Sequence, residues 1–244
     1  MARELDGAVN GAVNGAVDSG LVAAVRAALA SAADPAKAPG MQAYMKSDMP
    51  YRGVPKPTRE RVLRPVFAAR TLPDLASWTV TVLAMWRDAA YREERYAAID
   101  LTGHRAYRAY QRAETLDMYE EMITTGAWWD YVDEIAARRI GPLLAVDPAA
   151  IRPVMLRWSR DGDLWRRRTS IISQLSFKTA TDLELLYACI DANLDDRDFF
   201  IRKAIGWALR QYAWTDPTEV RRFVSARGHA LSPLSRREAL KNIG

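Results

Sequence analysis

The sequence predicts an all-α protein, either an orthogonal bundle or, favoured by the spacing of its helix pairs, an α-solenoid with a concave basic groove. Three observations carry this expectation. From Leu21 onward apolar residues recur at spacings of three and four, and no run alternates as a half-buried strand does. Periodic segments of about 10–16 residues are punctuated at Asp34-Pro35, Pro55 to Pro57, Pro73, Gly103, Gly126, Asp147-Pro148, Asp161 to Asp163, Asp195-Asp196, Asp216-Pro217 and Pro233. Helix pairs recur every 35–40 residues or so from about position 70, the range of HEAT-type repeats, although the repeats do not resemble one another in sequence.

Near its start the chain carries GAVNGAVNGAVDSG (Gly7 to Gly20), a four-residue repeat with Gly at positions 7, 11 and 15. Each helical Gly costs about 1 kcal/mol relative to Ala, so residues 1–20 are expected to form a flexible low-complexity leader and residues 21–244 a single HEAT-like domain. Asp147-Pro148 and Asp216-Pro217 place an N-cap acid before a first-turn proline. Ser235 and Glu238 have capping-box spacing, which predicts a helix beginning at Ser235.

Of the 244 residues, 49% are hydrophobic, enough for a sizeable core. Cys189 is the only cysteine, so no internal disulfide can form, which fits a reducing compartment. His104 and His229 are isolated and no cluster has metal-ligand spacing, so neither a metal nor any other cofactor is expected. No apolar run approaches the roughly 20 residues of a membrane span, and no secretory signal is read at the N-terminus. The cytoplasm, in contact with the nucleoid, is the expected location, and a monomer is the simplest expectation.

Net charge is +5 and unevenly placed. Residues 151–244 hold 17 Lys+Arg against 11 Asp+Glu, whereas the first 150 hold 18 against 19. A positive field in the C-terminal part suits an acidic polymer; an ordinary Arg-rich solvated surface accounts for the same count.

Some residues depart from the core stripes. In FFIRKAIGWALRQYAW (Phe199 to Trp214) the stripe is Ile201, Ala204, Ile205, Ala208, Leu209 and Tyr212. Trp207 lies off it, on a face with Lys203 and Arg210; packing on a neighbouring helix pair or contact with a partner both explain this. In GAWWDYVDEIAARRI (Gly126 to Ile140), Trp128, Val132 and Ile135 make a stripe, and Trp129 and Asp133 are neighbours one step round. Asp130 suits a helix start. Asp133 reads either as a surface acid, solvated or paired with Arg138 or Arg139, or as a functional carboxylate. In LWRRRTSIISQL (Leu164 to Leu175), Arg168 falls on the stripe of Leu164, Ile171, Ile172 and Leu175 and must pair with something, a structural acid or a phosphate.

Five blocks together resemble the AlkD-like family of DNA alkylation repair glycosylases: AYMKSDMPYRGVPKPTRERVL, WWDYVDEI, LWRRRTSI, FFIRKAIGWALRQYA and LSPLSRREAL, in that order. The resemblance runs from about residue 22 to the end and implies a HEAT-like solenoid that excises N3- or N7-alkylated purines from duplex DNA. It implies that Trp129, Asp133 and Trp207 line the lesion site and that Arg168 and Tyr44 contact DNA. Lys203 and Arg210 beside the groove are expected to bind phosphates without reading sequence.

The chemistry fits those residue types. A cationic alkylpurine leaves as a neutral base, and positive charge moves onto the sugar. A carboxylate beside that sugar stabilises the charge and can orient or deprotonate a water, and aromatic faces add cation–π attraction of about 0.5–2 kcal/mol. No lysine lies in the WWD or WRRR blocks, so a hydrolytic enzyme without lyase activity is expected. The alternative is a non-catalytic helical-repeat protein that binds nucleic acid or a protein partner.

Overall fold

The computed structural model describes residues 15–243. These form fourteen α-helices and no strand: α1 (Ser19–Ser31), α2 (Ala38–Met45), α3 (Lys56–Ala69), α4 (Leu75–Arg87), α5 (Arg92–Thr102), α6 (Leu116–Gly126), α7 (Trp129–Ile135), α8 (Gly141–Val146), α9 (Pro148–Trp158), α10 (Leu164–Ile172), α11 (Leu183–Asp191), α12 (Phe199–Tyr212), α13 (Pro217–Arg227) and α14 (Pro233–Leu240). The all-α solenoid class read from the sequence holds. Most of the glycine-repeat leader lies outside the described residues. Its last residues are placed: Asp18 caps α1, accepting from the Leu21 N–H at 2.8 Å, and α1 begins at Ser19.

Six more aspartates work as N-caps, among them the punctuating Asp147, Asp163 and Asp216. Asp74, Asp147, Asp163, Asp182, Asp198 and Asp216 each accept a backbone N–H in the first turn of the helix that follows. Such a cap contributes about 1 kcal/mol. The capping box expected at Ser235 is corrected. Ser232 caps α14 and Pro233 opens it, because proline needs no N–H partner in the first turn. Ser235 is buried and donates its hydroxyl to Arg202 O at 2.9 Å, and Glu238 turns toward α12.

The described chain divides into two compact units between Ala98 and Ile99, within α5. In the first, α1 packs on α3 and α4 through Leu21, Val25, Leu29, Leu63, Phe67, Trp78 and Val82. Its YRGVP stretch is held by one carboxylate. Glu93 is fully buried and accepts the backbone N–H groups of Arg52, Gly53 and Val54 at 2.9–3.1 Å. Gly53 sits at φ +80°, and a β-carbon there would stand 2.0 Å from Asp34 O. Only glycine fits.

In the second unit, α7, α10, α12 and α14 follow one another as one layer, each packed on the next. Behind them run α8, α9, α11 and α13; α11 and α13 join through Tyr187 stacked on Phe223 at 4.1 Å and through the Asp191–Arg227 pair at 2.6 Å. This two-layer alternation is the arrangement of an α-solenoid. The α12 stripe is buried as expected from Ile201 to Leu209, and Tyr212 at the end of the helix is half-buried.

Gly206 faces α14 at very close range: an added β-carbon would lie 2.5 Å from Glu238 Cβ and 2.8 Å from Ser235 O. Gly206→Ala is therefore expected to destabilise the protein by about 1–3 kcal/mol despite alanine's better helix propensity, read as a lower urea midpoint. An unchanged or higher midpoint would show that the two helices can part without cost.

Candidate functional site

The site begins with a distorted turn. α6 ends at Gly126, and Ala127 takes the left-handed conformation at φ 44°, which costs a non-glycine residue about 1–2 kcal/mol. Trp128 is then extended (φ −151°, ψ 145°) and acts as the N-cap of α7, so it lies outside the helical stripe expected for it. Val132 and Ile135 are buried as that stripe requires. Beyond α7 the chain widens into a π-turn, Ala136–Ile140, before resuming as α8. Such π-turns are frequent at functional sites.

Asp133 and Arg168 meet. Arg168 Nε donates to Asp133 Oδ1 at 2.7 Å, and its Nη2 donates to Oδ2 at 2.8 Å. Its Nη1 donates to the Phe200 carbonyl at 2.5 Å. One guanidinium thus links α7, α10 and α12. The Arg168 side chain is 4% exposed and that of Asp133 is 16% exposed. Asp133 pairs with neither Arg138 nor Arg139; both of those reach Glu134 instead. Burial pushes the Asp133 carboxyl above the ordinary carboxylate range, Arg168 pulls against that, and Asp130 adds a smaller upward push. The carboxylate is therefore desolvated and oriented, with part of its surface still reaching solvent.

The whole WRRR run is neutralised in this manner. Arg166 pairs with Glu120 at 2.6 Å and Asp161 at 3.1 Å, and Arg167 pairs with Asp196 at 3.1 Å. Beside these pairs lies an aromatic cluster the sequence reading missed. Trp128, Trp165 and Phe200 pack with ring centroids 5.1–6.3 Å apart, and Phe199 extends the cluster outward, 58% exposed. It fixes the entrance to α7 against the starts of α10 and α12.

Trp129 and Trp207 are both half-buried, and among the described residues no ring contact joins them. Trp207 is flanked along α12 by Lys203 and Arg210, and both of these cations bind Glu238 of α14. Lys203 Nζ stands 2.8 Å from Glu238 Oε1, and Arg210 Nη1 donates to Oε2. Lys203, held chiefly by its hydrogen bond, lowers the Glu238 carboxyl below its ordinary range, and Arg210 adds to this. In the sequence Glu238 reads only as a capping-box acid. The signal that could have found it is Gly206, a glycine inside a strong helix on the same face as Lys203 and Arg210, marking where another helix crosses. Tyr44 lies in the first unit near the end of α2 and is 76% exposed.

These features define an all-α helical-repeat protein with a desolvated carboxylate, two off-core tryptophans and a set of clamped cations on one layer of helices. Residues 25–243 match the family described as DNA alkylation repair enzyme, and the chain belongs to that family, which supports a role in DNA repair. Among solved structures it is similar to one described as a predicted DNA alkylation repair enzyme from Enterococcus faecalis. The identity is 29% over 87% of this chain and 97% of that one, with a TM-score of 0.79. No curated protein matches the chain.

Glu238 is ionised in the folded state to a lower pH than an ordinary glutamate. Its contribution is present above the unfolded value near 4.5 and is lost as pH falls through its depressed folded value. Glu238→Gln is expected to lower stability by about 1–3 kcal/mol at pH 7 and to flatten the acid limb of the urea midpoint against pH. An unaltered acid limb would mean that the two cations gain nothing from Glu238.

Proposed function

We propose that the protein is a DNA glycosylase that hydrolyses the N-glycosidic bond of cationic N3- or N7-alkylated purines in duplex DNA. The observation that carries this reading is Asp133, a carboxylate desolvated by its surroundings, held by both oxygens and still partly exposed, one turn along α7 from Trp129. Family membership supports DNA as the substrate.

In this reading Asp133 faces the sugar of the damaged nucleotide. As the bond to the base breaks, the base leaves neutral and C1′ gains positive charge. Asp133 stabilises that charge and takes a proton from the attacking water. A carboxylate offers about four lone-pair sites, and the Arg168 fork uses two, so acceptor capacity remains. At 4 Å and an effective dielectric of 20, two unit charges interact by about 4 kcal/mol. Only the part gained in the transition state speeds the reaction, which sets an upper limit near a thousandfold. Trp129 and Trp207 offer aromatic faces to the cationic base or sugar, favouring charged lesions over neutral ones. Arg168 acts through Asp133 as a positioning residue. Three of its N–H groups are engaged inside the protein and its side chain is 4% exposed, so its main contribution is to hold Asp133. Lys203 and Arg210, partly exposed on Glu238, are the nearer candidates for phosphate contact.

One observation favours the non-catalytic alternative: the Asp133–Arg168 pair has the geometry of a structural strut between helices. Release of free 7-methylguanine from a duplex carrying that base separates the two readings. Asp133→Asn is expected to keep duplex affinity within about threefold and to lose excision by about 10²–10³-fold in single turnover. Excision at the parental rate would remove Asp133 from the chemistry.

The same reading fixes a pH dependence. Activity requires the ionised carboxylate, so single-turnover excision, corrected for spontaneous loss of base, should fall as pH drops through a value above the ordinary Asp range. Arg168→Gln withdraws the charge that opposes burial and should move this limb to higher pH. A limb that stays in place would show that Arg168 does not act through Asp133.

A further inference from the structure

The sequence reading assigned DNA contacts to Arg168, Lys203 and Arg210, and in the structure each of these already holds a carboxylate. Cations without such partners lie elsewhere in the same unit. Between α5 and α6 the chain reads RAYRAYQR, residues 105–112. Arg105–Tyr110 form two short 3₁₀ turns joined at a kink, where the backbone of Tyr107 leaves the helical range (φ −105°, ψ 16°). Across this kink the RAY-RAY repeat stacks Tyr107 on Tyr110 at 5.7 Å, with Tyr107 buried, and leaves Arg105 and Arg108 both exposed. Neither arginine pairs with a carboxylate among the described residues. Arg112 follows, exposed, with its Nε donating to Ala109 O at 3.0 Å.

The segment is firmly mounted. Gln111 donates to Thr102 O and accepts from the Tyr119 hydroxyl, each at 2.7 Å. Burial pushes the Tyr119 hydroxyl up to about 12, so it remains a donor. Arg139 donates to Thr102 Oγ1 at 2.7 Å, and Arg139 belongs to the π-turn that continues the helix carrying Asp133. A rigid cationic edge is thereby tied through a short relay to the element bearing the candidate catalytic acid.

We propose that Arg105 and Arg108 form a docking edge for the phosphodiester backbone of duplex DNA, with Arg112 beside them. The edge holds the backbone without reading bases, since it offers only point charges and guanidinium donors. This rests on the reading of duplex DNA as the partner, and its test does not depend on excision.

The experiment measures binding of the full chain to an undamaged duplex by fluorescence anisotropy across a salt series. Arg105→Gln/Arg108→Gln is expected to weaken binding about ten- to thirtyfold at low salt and to reduce the slope of log K against log salt by about 1.8. Arg105→Lys/Arg108→Lys, which keeps the charge, should keep most of the slope. Arg157→Gln/Arg160→Gln makes the same charge change beside α9, in the other helix layer, and should leave affinity within about twofold. Equal losses in the two Gln pairs would reduce the effect to net charge and overturn the docking edge, as would an unchanged slope in the first pair. A parental protein that excises alkylated bases while the Arg105/Arg108 pair proves inert would overturn this inference alone. Duplex binding that depends on the pair, in a protein that excises nothing, would overturn the glycosylase reading and leave the edge standing.

Discussion

The second unit is organised around one interaction, the fork between Arg168 and Asp133. Burying a guanidinium alone costs several kcal/mol, and burying a carboxylate alone costs as much. Each offsets the other's charge, and a third N–H of Arg168 reaches the Phe200 carbonyl, so that α7, α10 and α12 share one centre. Other features of the site act on that geometry. The Trp128–Trp165–Phe200 cluster fixes the three helix starts, and the Asp163 and Asp198 caps set where α10 and α12 begin. A structural pair and a reactive carboxylate are compatible uses of the same residues. Orientation by a fork is how a protein holds a charged group ready without solvent to arrange it.

The cations of this unit differ in how they are held. Arg166, Arg167, Arg168, Lys203 and Arg210 are each bound to an acid on another element or turn, and they hold helices together. Arg105 and Arg108 pair with no carboxylate among the described residues. Net charge is silent on this distinction, because a clamped arginine and a free one count alike. What separates them is whether a carboxylate lies within reach after folding, and that depends on contacts 28–35 residues apart in the chain for the Arg210–Glu238 and Arg168–Asp133 pairs.

Helix existence and the capping acids were legible in the sequence because both are local. Asp147-Pro148 and Asp216-Pro217 need only the next turn to act. The off-core positions of Trp207 and Asp133 were legible because helical periodicity assigns faces without knowledge of partners. The partner of Asp133 was not, since nothing local distinguishes Arg138 or Arg139 from Arg168. Trp128 was misplaced for a related reason. Its spacing fits the α7 stripe, but the left-handed Ala127 swings it out of the helix. The misassigned start of α14 came from treating Ser235 as a cap, when Pro233 already marked the first turn and Ser232 the cap.

If Arg168 acts on the chemistry only through Asp133, a double-mutant cycle on single-turnover excision of 7-methylguanine will show it, with Asp133→Asn, Arg168→Gln and the pair combined. Once Asp133 is neutral, losing Arg168 should lower the remaining rate by less than about twofold, although it lowers the parental rate by tenfold or more. Independent, multiplying losses would show instead that Arg168 contacts the substrate itself.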